Sequence, residues 1–201
     1  MKKFYEKVKP FFLVILGALI LLSYLFYMQG DGAALALGIV SIVVAAFYIG
    51  YGVVVLLIGS KIPALVKKIL DVVAVGFFPA FVFTGILMDT INLYQNFTPT
   101  GWIIAILGMI AALGIVVVYA VAAFVKNNIL SKLVSIFALT FVLALLMNVL
   151  FDVTGLPVVL GNVVIVYLAI YAVYTAILFS AIGGLESGEQ SKEPKEIDEQ
   201  E

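Results

Sequence analysis

Polar and apolar positions in this chain are arranged in blocks. Uncharged runs lie between Lys9 and Asp31, Asp31 and Lys61, Asp71 and Asp89, Asp89 and Lys126, Lys132 and Asp152, and Asp152 and Glu186. A hydrocarbon core of about 30 Å is crossed by about 20 apolar residues in helical form, and every run holds roughly that many or more. Six helical spans are predicted, at 11–29, 34–59, 70–89, 102–125, 133–151 and 157–182. The β-branched stretch from Val53 to Leu57 would tolerate a strand, but unbroken apolar runs lack the in-and-out alternation of a membrane barrel. The predicted fold class is an all-α integral membrane protein with six transmembrane helices. Residues 1–10 form a basic amino-terminal segment, 11–184 the membrane domain, and 185–201 an acidic tail too poor in apolar residues to fold.

Lysine positions predict the orientation. Lys2, Lys3, Lys7 and Lys9 precede the first span, Lys61, Lys67 and Lys68 separate the second from the third, and Lys126 and Lys132 separate the fourth from the fifth. Lys192 and Lys195 follow the sixth, so all basic residues fall on one side, which the positive-inside rule makes cytoplasmic. Both termini are then inside, and Asp31, Asp89 and Asp152 lie outside. The basic start followed by an apolar stretch, with Ala34-Leu35-Ala36 beyond it, also has the outline of a secretory signal. The stretch from Phe11 to Tyr27 exceeds the usual ~7 to 15 residues, which favours a retained span.

An internal match supports retaining it. Shifting the chain by 123 positions places Lys3 on Lys126, Lys9 on Lys132, Gly38 on Gly161, Tyr48 on Tyr171 and Tyr51 on Tyr174. The repeating unit would be a two-span hairpin, with the middle hairpin a diverged copy, and three parallel hairpins would form a pseudo-threefold bundle. Small residues four apart concentrate in the even spans: Ala46 and Gly50, Gly108 and Ala112, and Ala172, Ala176 and Ser180. Such pairs let helices approach closely in lipid, so spans two, four and six are the expected inner layer. Pro79, beside Gly76, Phe77 and Phe78, predicts a kink in span three.

Composition narrows the chemistry. The chain is 65% hydrophobic and 11% charged, and its 201 residues include no His, Cys or Arg. Disulfides, thiol chemistry, most zinc and haem ligation and histidine general acid–base catalysis are thereby excluded. Ser23, Ser41 and Ser135 have no base at their depth. No enzymatic activity and no cofactor are expected, and the expected surroundings are the lipid bilayer and a membrane-protein partner or a second copy, with no nucleic acid.

Two constellations are candidate sites. Counting about 1.5 Å per residue, Tyr51, Tyr119 and Tyr174 come to a similar depth towards the lysine side, with Tyr48 and Tyr171 one turn further from it. They form either a phenol cluster closing a cavity around a polar ligand or an aromatic belt at the inner interface. At the outer side, Asn148 and Asn162 flank the third hairpin's turn, and Asp31, Asp89 and Asp152 compose an acidic ring. These are either oxygen ligands for a cation or polar solute, or a helix-to-helix amide bond with solvated aspartates. Asn96-Phe97-Thr98 has the form of a glycosylation sequon, which matters only in a eukaryotic secretory route. Asp71, four residues after Lys67, has an i, i+4 ion pair available at the start of span three.

The leading functional expectation is a non-catalytic bacterial plasma-membrane protein acting by association, as an accessory, scaffolding or immunity-type subunit. The alternative is small-solute or ion transport, as a permeation or substrate-capture subunit. A polar cavity would favour the second.

Overall fold

Apolar sequence in helical form satisfies its backbone within itself, and in the computed structural model each run contains a helix. Backbone is described for residues 2–27, 33–59, 61–93, 99–125, 127–151 and 161–190, and side chains for 8–23, 38–59, 61–87, 99, 101–125, 127–147 and 165–185. The helices are α1 (Lys2–Tyr27), α2 (Ala33–Ile58), α3 (Ala64–Leu93), α4 (99–124), α5 (Asn128–Phe151) and α6 (Gly161–Gln190). Helix α4 is continuous through one π-helical turn, Ile115–Tyr119. Among the described residues, five helices contain stretches long and apolar enough to cross a bilayer, and α1 contributes a shorter one, Val8–Ser23. The chain is an all-helical protein compatible with membrane embedding.

Local chemistry sets the described turns. The carbonyl of Pro63 accepts from the Lys67 amide at 2.9 Å, closing the first turn at the start of α3. Asn127 caps α5: its side-chain oxygen accepts from Ile129 N–H at 2.8 Å and its carbonyl from Ser131 N–H. Several helices outrun their predicted spans, because charged residues with good helical propensity extend a helix past the hydrocarbon edge. Helix α1 starts at Lys2 and passes through Pro10, and α3 starts at Ala64 and includes Lys67 and Lys68. Helix α6 continues through Gly183 and Gly184, where Leu185 packs on the core, and runs to Gln190, into the segment assigned to the acidic tail.

Each helix packs on the next in chain order, and α6 returns to α1, so the bundle is a closed ring; α3 and α6 also meet across it. The core is Leu13, Leu16 and Ile20 from α1, Val44 and Tyr48 from α2, Ala74, Val75 and Phe78 from α3, Ala112 and Ile115 from α4, Val134, Ala138 and Phe141 from α5, and Tyr174, Ile177 and Leu178 from α6.

The expected inner layer is not formed. Helices α2, α4 and α6 pack chiefly against odd-numbered helices. Ala46, Gly50 and Ala172 face outward, and a Cβ on Gly50 would meet nothing within 4 Å. The close approach lies between α1 and α2 instead. A Cβ on Gly17 would sit 2.7 Å from the Ala45 carbonyl oxygen, and one on Gly52 2.8 Å from that of Pro10. Gly108 and Ala112 are buried, with Gly108 against Ala144 of α5 and Ile86 of α3. Small residues thus mark close contacts between chain neighbours.

Candidate functional site

Pro79 supplies no N–H, so the carbonyl of Val75 has no donor four residues on. The Tyr174 hydroxyl supplies it, donating to Val75 O at 2.7 Å. One residue earlier, the Tyr48 hydroxyl donates to Ala74 O at 2.7 Å and accepts from Phe78 N–H at 3.1 Å, two groups that pair in an ideal helix. Two phenols from α2 and α6 therefore complete the interrupted ladder of α3. Phe78 lies against Tyr174 with ring centroids 4.5 Å apart, and Phe141 meets Tyr174 nearly at right angles. This layer is dry: Tyr48, Phe78, Phe141 and Tyr174 are all buried.

A cavity of about 510 Å³ opens nearer the lysine end, where α1, α2, α3, α4 and α6 converge. Its lining is tiered along the helices. Lys67, Lys68 and Val55 form the rim with Gly183 and Gly184. Tyr51, Asp71, Tyr119, Ser180 and Ala181 form the middle, and Ala74, Val75 and Ile177 the floor. Beyond that floor is the dry layer around Phe78 and Tyr174.

Asp71 is the hub of the middle tier. Its carboxylate pairs with the Lys9 ammonium and accepts a hydrogen bond from the Tyr51 hydroxyl. The expected i, i+4 pair with Lys67 is absent, because Asp71 turns inward to α1 and α2 while Lys67 stays at the rim. Lys68 lies over the Phe124 ring, 4.7 Å from its centroid.

Of the predicted tyrosines, Tyr51 and Tyr119 line the cavity, while Tyr48 and Tyr174 occupy the dry layer. Tyr171 is half-buried, tilted against Tyr167 with centroids 6.2 Å apart and edge-on to Phe78. Residues aligned by the 123-residue shift therefore do different work: Tyr174 completes α3, whereas its counterpart Tyr51 binds Asp71. Asp31 and Asp152 lie outside the described residues, as do the side chains of Asp89, Asn148 and Asn162. Among the described residues no group of three or more acidic, histidine or cysteine side chains is placed to hold a metal.

Sequence reasoning missed Lys9, Lys67, Lys68 and Ser180 as site residues. One signal was available for the hub. In an antiparallel hairpin, positions equidistant from the turn face one another, and both 51 with 71 and 48 with 74 are centred on residue 61.

No family model, no curated protein and no solved structure matches this chain.

Proposed function

We propose that this is a non-catalytic membrane protein that captures a small ligand at its lysine-bearing end. In this reading it has six spans, sits in a bacterial plasma membrane with both termini in the cytoplasm, and works as a capture or accessory subunit of a larger assembly. The carrying observation is the cavity of about 510 Å³, whose volume falls in the range of small-molecule sites. Five helices contribute to it, and Tyr51, Asp71, Tyr119 and Ser180 give it convergent polar groups on an otherwise apolar wall. The dry layer beyond its floor favours a one-ended pocket over a pore. Lysine asymmetry supports the orientation, and the lack of His, Cys and Arg supports the non-catalytic reading. The register match at 123 residues supports descent of the first and last hairpins from one unit.

The test is purification in mild detergent followed by native mass spectrometry. A bound small molecule or lipid, displaced by Ala181→Trp, is expected. Recovery of the chain with a partner protein and no ligand would return the scaffold reading to first place.

A further inference from the structure

The geometry points to the ligand class of this cavity: an amphiphile with an anionic head, held at the rim by Lys67 and Lys68, with its apolar part against Val75 and Ile177. This rests on the capture reading above and specifies its ligand.

Charge balance is the first support. Among the described residues four charged side chains line the space, three lysines and Asp71, and Asp71 is already engaged by Lys9. The excess positive charge therefore belongs to Lys67 and Lys68. Lys67 forms no ion pair among the described residues, and Lys68 is held in place over Phe124. An ammonium is a strong donor to phosphate or carboxylate oxygen, and two lining one mouth favour an anion over a neutral or cationic head.

The second support is the order of the tiers. Lys67 and Val75 are eight residues apart on one helix, which sets the floor about 12 Å below the rim. Charge lies at the entrance and apolar side chains at the bottom. A wholly polar anion would leave the floor unfilled, and a bare hydrocarbon would leave the ammoniums unanswered. Among the described residues nothing lies within 4 Å of where a Cβ on Gly183 or Gly184 would sit, which leaves room for a ligand on the α6 side. An anionic lipid headgroup and a free organic anion share this chemistry.

The test uses the full chain in phosphatidylcholine nanodiscs, titrated calorimetrically with octyl phosphate, octyl glucoside and inorganic phosphate, with empty discs subtracted. Octyl phosphate is expected to saturate one site, with octyl glucoside weaker and inorganic phosphate silent. Replacing both rim lysines, Lys67→Gln with Lys68→Gln, should weaken octyl phosphate by about tenfold or more and leave octyl glucoside unchanged. An unaltered melting transition shows that this variant folds, and the octyl glucoside comparison tests the head group without any substitution. Repeating the titration with phosphatidylglycerol in the discs separates the sources: competition identifies a lipid head, and unchanged affinity a free solute. Equal binding of the two octyl compounds, indifferent to the lysines but abolished by Ala181→Trp, would overturn the anionic head and leave capture standing. Saturable binding by none of the probes would overturn the ligand class, and an empty protein by native mass spectrometry would overturn capture itself.

Discussion

The Tyr174 hydroxyl donates to the carbonyl of Val75, 99 residues earlier in the chain, at the position in α3 that Pro79 deprives of its helical donor. In a medium without water such a carbonyl must find a partner inside the protein. The proline is therefore compatible with the span because α6 delivers a phenol to it.

Removing that phenol should be costly in proportion to what Pro79 leaves open. Tyr174→Phe is expected to lower stability in detergent by about 1 to 3 kcal/mol, the penalty of an unsatisfied buried acceptor. In a Pro79→Ala background, where the backbone N–H returns, the same substitution should cost less. Thermal unfolding of the four variants gives the coupling directly, and additive losses would show that the hydroxyl and the proline act independently.

The α1–α2 contact gives a prediction opposite to the one small-residue spacing suggests. Gly17→Ala and Gly52→Ala should each destabilise by about 1 to 3 kcal/mol, because the added methyl meets backbone. Gly50→Ala should be neutral or stabilise by up to about 1 kcal/mol through helical propensity. Chemical denaturation in mixed micelles would check the ranking, and a larger loss at Gly50 would contradict this packing.

That reversal shows where the sequence is legible. Charge placement locates all six helices, though not their ends, since a lysine or aspartate within the hydrocarbon is expensive while one beyond it can stay helical. Which face turns inward is hidden, because lipid and core take the same residues: Ile39, Val43 and Ile110 are exposed while Val44 and Ile115 are buried. The amphipathic stripe that betrays a soluble helix is absent. The tyrosines stood out because they are polar, yet depth counting placed Tyr174 level with Tyr51, when Tyr174 and Tyr48 in fact address consecutive carbonyls of α3. Lys9 was invisible as a site residue because its partner lies two helices away, and no local spacing links 9 to 71.

That pair is testable by charge exchange. Lys9 and Asp71 are 19% and 26% exposed, so the bond is partly shielded from solvent. Asp71→Asn or Lys9→Gln should each cost about 1 kcal/mol, and Lys67→Gln should cost almost nothing. Lys9→Asp combined with Asp71→Lys should recover part of the loss in melting temperature. Equal sensitivity at Lys67 would restore the local i, i+4 pair.

The proposed orientation has its own measurement. Single cysteines at Gly32, Thr98 and Thr154 should react with an impermeant thiol reagent applied to intact cells, and those at Ser60, Asn127 and Ser191 only after lysis. Labelling of the second group in intact cells would invert the map and place the cavity mouth outside.

The return of α6 to α1 has a consequence for how the protein is made. Helix α6 touches α1, α3 and α5, and it carries the phenol that α3 lacks. Without α6 the five earlier helices lack both the element that closes the ring and the donor for the Val75 carbonyl. A chain that ended before Tyr174 would leave both the ring and the α3 ladder open, so completeness of the bundle rests on its last helix.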